Sequence, residues 1–277
     1  MTLETTPKRL NVMDYGQKDR LLRLVKDERR EFYDLVENTG WEDKTASGEW
    51  QVRDLVGHLI DVTESYIERF ALAREGKPFP EPIGLRPMAG MLDQGARRFR
   101  SLSRGDAIAR LKQSSDGLWD ILDRLDEQQW TGELVPHVYM GPLPTCFYPA
   151  FQLIDYSVHS WDIRAGQGDP TPLSEEAAET LVPVMMIVLQ NTVDADVVAG
   201  LSCTAGIKLT GRYGGSYRVT VADNALSYAE GSPDDCQVVF TFDPNDFVLT
   251  AYQRQRGGQV TGDPELAERF RQLFFKI

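Results

Sequence analysis

Apolar positions in the first half of the chain recur at three- and four-residue steps, the spacing that gathers side chains on one face of a helix. Between Asp14 and Glu37, Leu21, Leu24, Val25, Phe32, Leu35 and Val36 carry this pattern and charges fill the opposite face. It predicts a first helix, closed at Asn38-Thr39-Gly40 by a glycine free to turn left-handed. Val52, Leu55, Val56, Leu59, Ile60, Tyr66 and Phe70 predict a second long helix. His58 lies off the centre of that stripe, on a flank with Asp54, Val62 and Ser65, where a side chain can look into a cleft between helices. Four prolines and two glycines from Gly76 to Pro87 predict a rigid loop. Two more helical patterns run over Met88–Leu102 and Asp106–Gln128, and a loop from Thr131 to Thr145 holds His137. The half closes on a helix from Tyr148 to Arg164, where Tyr148, Phe151, Ile154, Val158 and Trp161 share a face. Residues 1–13 carry no such pattern and are expected to be an untethered lead.

After Ala165 the pattern changes. GQGDPTPLS is a Gly/Pro linker, and Ser174 with Glu176 suits the start of a helix running to about Ala199. From Gly206 the period drops to two, as in Tyr217-Val219-Val221, with Gly-Gly and Asp-Asn breaks. These predict a meander of three antiparallel strands, followed by a fourth at Gln237–Phe242, a helix at Asn245–Gln253 and a closing helix at Pro264–Phe275. The fold class expected is therefore α + (α+β): a helical bundle over 1–165, a linker and helix over 166–204, and a small antiparallel-sheet/helix domain over 205–277. There are no internal repeats.

Composition narrows the partners. Lys and Arg total 30 against 42 Asp and Glu, a net charge of −12, so nucleic acid and anionic membrane surfaces are disfavoured. Cys146, Cys203 and Cys236 are odd in number and widely spaced, neither a disulfide framework nor a CxxC knuckle, which fits a reducing cytoplasm. The first residues hold no apolar signal core, and the longest apolar run, Leu181–Leu189 with Pro183 inside it, falls far short of the roughly 20 residues of a membrane span.

The candidate chemistry sits on YPAFQLIDYSVHSWDIR, Tyr148–Arg164. Asp155 and His159 are one turn apart at the edge of the apolar face, and Asp162 lies within it. A carboxylate turned toward a core is costly unless paired, hydrogen-bonded or metal-bound. With His58 the set offers two imidazoles and one carboxylate, which suits zinc or another divalent first-row metal with positions left open. The same spacing also serves an ordinary Asp–His pair, with His58 a solvated helix residue. Asp162 suits an acceptor that orients a ligand histidine, or a partner for an N–H or arginine inside the bundle. His137 is either an acid/base or substrate contact over the site or a solvated loop residue. Arg164 and Arg212 are candidates to hold substrate or thiol carboxylates, or else surface arginines.

WQVRDLVGHL at Trp50–Leu59 and DYSVHSWDIR at Asp155–Arg164 resemble the N-terminal domain of mycothiol-dependent maleylpyruvate isomerases, members of the DinB-like four-helix superfamily. The resemblance implies a divalent metal, usually zinc, on His58, Asp155 and His159, and a low-molecular-weight thiol such as mycothiol as cofactor or co-substrate. Asp155 stands where that family typically has glutamate, which leaves the particular reaction open. GGQVTGDPELAERFRQLF at Gly257–Phe274 is similar to the family's C-terminal domain, which resembles sterol carrier protein-2. The implied activity is cis-trans isomerisation or thiol S-transfer on a small electrophile. A different class stays open, a non-catalytic protein whose sheet domain shelters an apolar ligand through residues such as Phe270, Leu273 and Phe274. So does a DinB-like stress protein whose metal serves folding alone.

Overall fold

The computed structural model describes residues 8–274. In chain order it runs α1 (Lys18–Asn38), α2 (Val52–Arg74), α3 (Leu85–Arg97), α4 (Arg104–Asp123), α5 (Glu127–Gly132), β1 (Leu134–His137), β2 (Gly141–Pro144), α6 (Phe147–Gly166), α7 (Glu175–Asn191) and α8 (Ala195–Val198). A second stretch follows as β3 (Cys203–Leu209), β4 (Gly215–Ala222), β5 (Ala225–Glu230), β6 (Val238–Phe242), α9 (Pro244–Ala251), β7 (Gln259–Gly262) and α10 (Pro264–Arg271). The fold is thus mixed, helices first and a sheet after.

α6 is the axis of the helical part. Every residue from Phe147 to Ile163 is buried except Asp155. A helix apolar on one face alone would lie at the surface, whereas one covered all round is a core element. α1, α2 and α7 pack around α6, and α2 is backed in turn by α3 and α4. The N-terminus of α2 is closed by a capping box in which Gln51 and Asp54 satisfy each other's backbone N–H groups. Asp54 then takes a two-pronged contact from Arg100, 2.7 Å on each prong, so it serves the helix end and not the cleft flank expected for it. Gly57 lets α2 and α3 meet, since a Cβ there would stand 2.1 Å from the Ala96 carbonyl oxygen.

The C-terminal sheet has strand order β5-β4-β3-β6-β7. β3, β4 and β5 form the expected antiparallel meander, and Asp223 and Asn224 turn it with φ of 51° and 60°. β6 lies beside β3 and runs parallel to it, so the fourth strand departs from the antiparallel expectation. β7 is a fifth strand, antiparallel to β6. Phe240 stacks on Phe242 at 6.1 Å and meets Phe270 at 5.3 Å, while Phe242 meets Phe247 at 5.7 Å. These aromatics fill an interior between the sheet and α9 and α10.

Several other expectations change. Gly40 is not left-handed. α1 ends where the Gly40 N–H bonds the Asp43 carboxylate at 3.0 Å, with that side chain filling the space a Cβ would need. The lead is tethered over 8–13: Leu10 and Val12 are buried, and the Trp130 indole N–H donates to the Val12 carbonyl at 2.9 Å. Residues 1–7 of that lead, and Phe275 of the closing helix, lie outside the described residues. The Thr131–Thr145 loop contains the β1–β2 hairpin, paired from Leu134↔Pro144 to His137↔Gly141. No helix among the described residues is long and apolar enough to cross a membrane.

Candidate metal centre

His58 on α2 and the pair Asp155 and His159 on α6 converge, each offering a ligand atom within 4.8 Å of the others. The two imidazole rings meet edge to face at 5.1 Å, and the Trp50 indole lies 5.0 Å from His58 and 6.3 Å from His159. This convergence follows from the local sequence. The one-turn spacing of Asp155 and His159 stacks them on one side of α6, and the close approach at Gly57 draws α2 and α3 together beside His58.

The environment is short of the partners these groups need. His58 Nδ1 and Asp155 Oδ2 are both covered from solvent and have no hydrogen-bond partner. Buried polar atoms are almost always paired, so two orphans pointing into one small space call for a further partner. Burial, reinforced by His159 and Arg254, holds the His58 imidazole well below its ordinary range, so it is a neutral lone-pair donor. Burial pushes the Asp155 carboxyl up to about 7. Two nitrogens and one oxygen of this kind match the donor set of a divalent first-row cation.

Asp162 sets the orientation of His159. Its Oδ2 lies 2.9 Å from His159 Nδ1, which leaves the other ring nitrogen as the one free for a ligand. Arg254 grips the same carboxylate with Nε at 2.8 Å and Nη2 at 3.1 Å, and Nη2 also reaches Ser47 Oγ at 3.1 Å. Burial favours the neutral acid here, but the His159 bond and Arg254 outweigh it and hold Asp162 below the usual carboxylate range. Arg254 comes from the sheet part and was not anticipated. It is placed by the end of α9, where Gln253 turns left-handed with φ 53° and the Arg254 N–H bonds back to the Leu249 carbonyl at 2.8 Å.

The centre opens into a cleft of about 930 Å³. His137 lines it, at the end of β1, with its ring 5.0 Å from Phe151 and 4.7 Å from Tyr139. It is buried, not solvated. Burial and then Arg69 bring its pKa down to about 3, so the ring is neutral. Its Nδ1 accepts the Met140 N–H at 3.4 Å, which places the ring proton on Nε2. Arg164 and Arg212 do not line this cleft. Arg164 pairs with Glu31 and donates to the Thr171 carbonyl at 3.3 Å, tying α6 to α1. Arg212 is exposed and lies over the Tyr213 ring, 5.3 Å from its centroid. Among the cysteines, burial pushes the Cys146 thiol up to about 12, which fits a packing role.

Comparison with solved structures finds the same fold in the mycothiol-dependent maleylpyruvate isomerase, at 14% identity and a TM-score of 0.59, covering 88% of this chain and 92% of that one. A histidine-to-alanine mutant of that isomerase matches with the same coverage at 13% identity and a TM-score of 0.59. The colibactin self-resistance protein ClbS, solved with double-stranded DNA, covers 54% of this chain and 94% of its own at 15% identity, with a TM-score of only 0.47. No curated protein matches the sequence. The family model described as mycothiol maleylpyruvate isomerase N-terminal domain matches residues 22–164, more than half of the chain and the stretch that carries all three converging side chains. The chain belongs to that family.

Proposed function

We propose that this protein is a metal-dependent enzyme that uses a low-molecular-weight thiol, mycothiol or a close relative, on a small electrophile. The observation that carries it is the convergence of His58, Asp155 and His159 within 4.8 Å at one end of a roomy cleft, with two of their buried atoms unpartnered. These three residues would hold the cation, and zinc suits the donors. When bound, the cation supplies Lewis acidity that stabilises a thiolate at neutral pH.

The chain's own groups then have distinct parts. Asp162 keeps His159 in one tautomer, and Arg254 keeps Asp162 ionised. Trp50 lies against both imidazole rings. His137, neutral with its proton on Nε2, donates a hydrogen bond and does not abstract a proton. That suits it to an oxygen that would gain negative charge if a bound thiol added to a conjugated cis bond. Such an addition would leave the bond single and free to rotate, and loss of the same thiol would restore it trans. If the thiolate instead displaces a leaving group, the product is a thioether. The same residues serve both outcomes, and isomerisation is favoured by the family. The division into a metal-binding part over 1–165 and a sterol carrier protein-2-like part over 205–277 belongs to the same proposal. Its apolar-ligand alternative finds no support, because Phe270 and its neighbours pack against one another.

Calorimetric titration of mycothiol into metal-loaded and chelator-treated protein tests the reading. Binding by the loaded protein alone is expected, followed by mycothiol-dependent turnover of a cis-conjugated oxo acid. Equal binding to both forms, or to neither, overturns it.

A further inference from the structure

Three tyrosines line the cleft from three separate elements: Tyr66 on α2, Tyr139 in the turn of the β1–β2 hairpin and Tyr252 at the end of α9. None of their hydroxyls is hydrogen-bonded to another described residue. The two tyrosines of α6 behave differently. Tyr148 donates to the Val135 carbonyl at 3.1 Å, and the Tyr156 hydroxyl lies 2.8 Å from Ser115 Oγ. A tyrosine inside a protein usually finds a partner for its O–H, so three unpartnered hydroxyls on one cleft call for a ligand.

Their placement narrows what that ligand offers. Burial pushes all three hydroxyls above the ordinary phenol range, and the Asp155 carboxylate adds to the effect in each. They are therefore neutral donors, grouped on the Asp155 side of the centre. A helical side chain leans toward the N-terminus of its helix, which aims Tyr66 back toward the level of His58. The Tyr66 ring lies 6.5 Å from Phe151 and the Tyr139 ring 4.7 Å from His137, which itself lies 5.0 Å from Phe151. Phe151 is one turn before Asp155, about 6 Å along α6. The donors stand beside the cation site, not on it. They leave Asp155 Oδ2 without a hydrogen-bond partner, so serving that carboxylate is not their role.

Fixed O–H and N–H donors gathered in one place stabilise an oxygen that acquires charge during a reaction. We propose that Tyr66, Tyr139 and Tyr252 join His137 in an oxyanion hole for the carbonyl oxygen of the electrophile, and are catalytic residues. The inference rests on the metal–thiol reading. Addition of the thiol's sulfur to a carbon–carbon double bond conjugated with that carbonyl would form the C–S bond and shift the π pair toward the oxygen, which becomes an enolate oxygen. Loss of the same sulfur returns the pair and restores the double bond, and the four donors keep their protons throughout. The oxygen stands several bonds from the sulfur, which matches donors about one turn from the metal ligands. The electrophile selected is a conjugated ketone or aldehyde, whatever charge the rest of the molecule carries.

The probe is 4-(dimethylamino)cinnamaldehyde, a neutral conjugated aldehyde whose absorption moves to longer wavelength when its oxygen accepts strong hydrogen bonds. It is titrated into chelator-treated protein, so that the shift reads the protein's own donors. Wild type is expected to bind it with a clear shift. Y66F, Y139F and Y252F should each show a smaller shift and bind about two- to tenfold more weakly, the scale of losing one neutral hydrogen bond. In turnover with mycothiol, each variant should lower kcat about tenfold or more, with metal content and mycothiol affinity as in wild type. Phenylalanine keeps the ring and its packing, and circular dichroism checks the fold. Should one variant fail to fold, the other two decide. No binding or no shift in wild type, the full shift kept in every folded variant, or every folded variant turning over as wild type does, overturns the proposal. Absence of mycothiol binding in wild type would sink the metal–thiol reading instead, and leaves the aldehyde arm readable.

Discussion

Replacing Arg254 by methionine separates what the sheet part contributes to the centre from what the helices supply. The arginine side chain is 6% exposed and the Asp162 side chain 0%, so the pair is fully inside the protein. Methionine keeps most of the volume but removes two contacts to Asp162, at 2.8 and 3.1 Å, and one to Ser47. Asp162 is left with His159 as its remaining side-chain hydrogen-bond partner. Removing one member of a buried pair costs about 3–5 kcal/mol, because the survivor is a desolvated charge without compensation. Asp162 answers by taking up a proton more readily, since burial already favours the neutral acid. Protonated Asp162 no longer holds His159 as strongly, and loss of such an outer partner typically costs 10- to 100-fold in metal affinity. The sign with pH follows. A carboxyl held below its unfolded value stabilises the fold above that value, about 3.9, and the contribution disappears as pH falls through the folded value. Wild type should therefore lose stability on acidification below about pH 4 more steeply than R254M does. Urea unfolding at pH 7 and pH 3.5, with a chelator-competition titration for the metal, measures both effects. A variant within 1 kcal/mol of wild type at pH 7, with unchanged metal affinity, would refute the argument that the Asp162–Arg254 contact supports His159.

Asp155, raised to about 7 by burial, carries a proton in the metal-free protein over most of the acidic range. Metal binding must release it, so apparent affinity should fall about tenfold per pH unit below 7 from this group alone, with proton release seen in buffers of different ionisation enthalpy and absent in D155N. Because the folded value lies above the unfolded one, the metal-free fold should lose stability as pH rises from about 4 to about 7, a slope that D155N removes. G57A should press a methyl group against the Ala96 carbonyl and separate α2 from α3 beside His58; a loss of about 1–3 kcal/mol in thermal or urea unfolding is expected, together with weaker metal binding. An unperturbed G57A would show that this close approach does not set the position of His58.

Much of the centre was legible because its information is local. Asp155, His159 and Asp162 sit at steps of three and four on one helix, so their grouping needs no knowledge of the rest of the fold. His58 was legible as a histidine off the apolar stripe. Arg254 was not, because it reaches Asp162 from 92 residues away and QRQRGG carries no periodicity. Arg164 shows the converse. Its place in the last turn of the site helix suggested a ligand contact, but the guanidinium is taken by Glu31 on α1. The hairpin carrying His137 was masked by Pro136, Pro142 and Pro144, residues that argue against a strand except in a ribbon with free edges. β7 is four residues long with a glycine inside, and it exists as a strand through its pairing with β6. The parallel β3–β6 pair depends on how the chain crosses the sheet, which period-two alternation does not encode.

The account depends most directly on one quantity, the divalent metal content of the purified protein and of its H58A variant, read by elemental analysis beside a fold check by circular dichroism. One metal per chain in wild type, and little or none in a folded H58A, is the predicted result. A metal-free wild type after growth with zinc, or full metal retained by H58A, would contradict it.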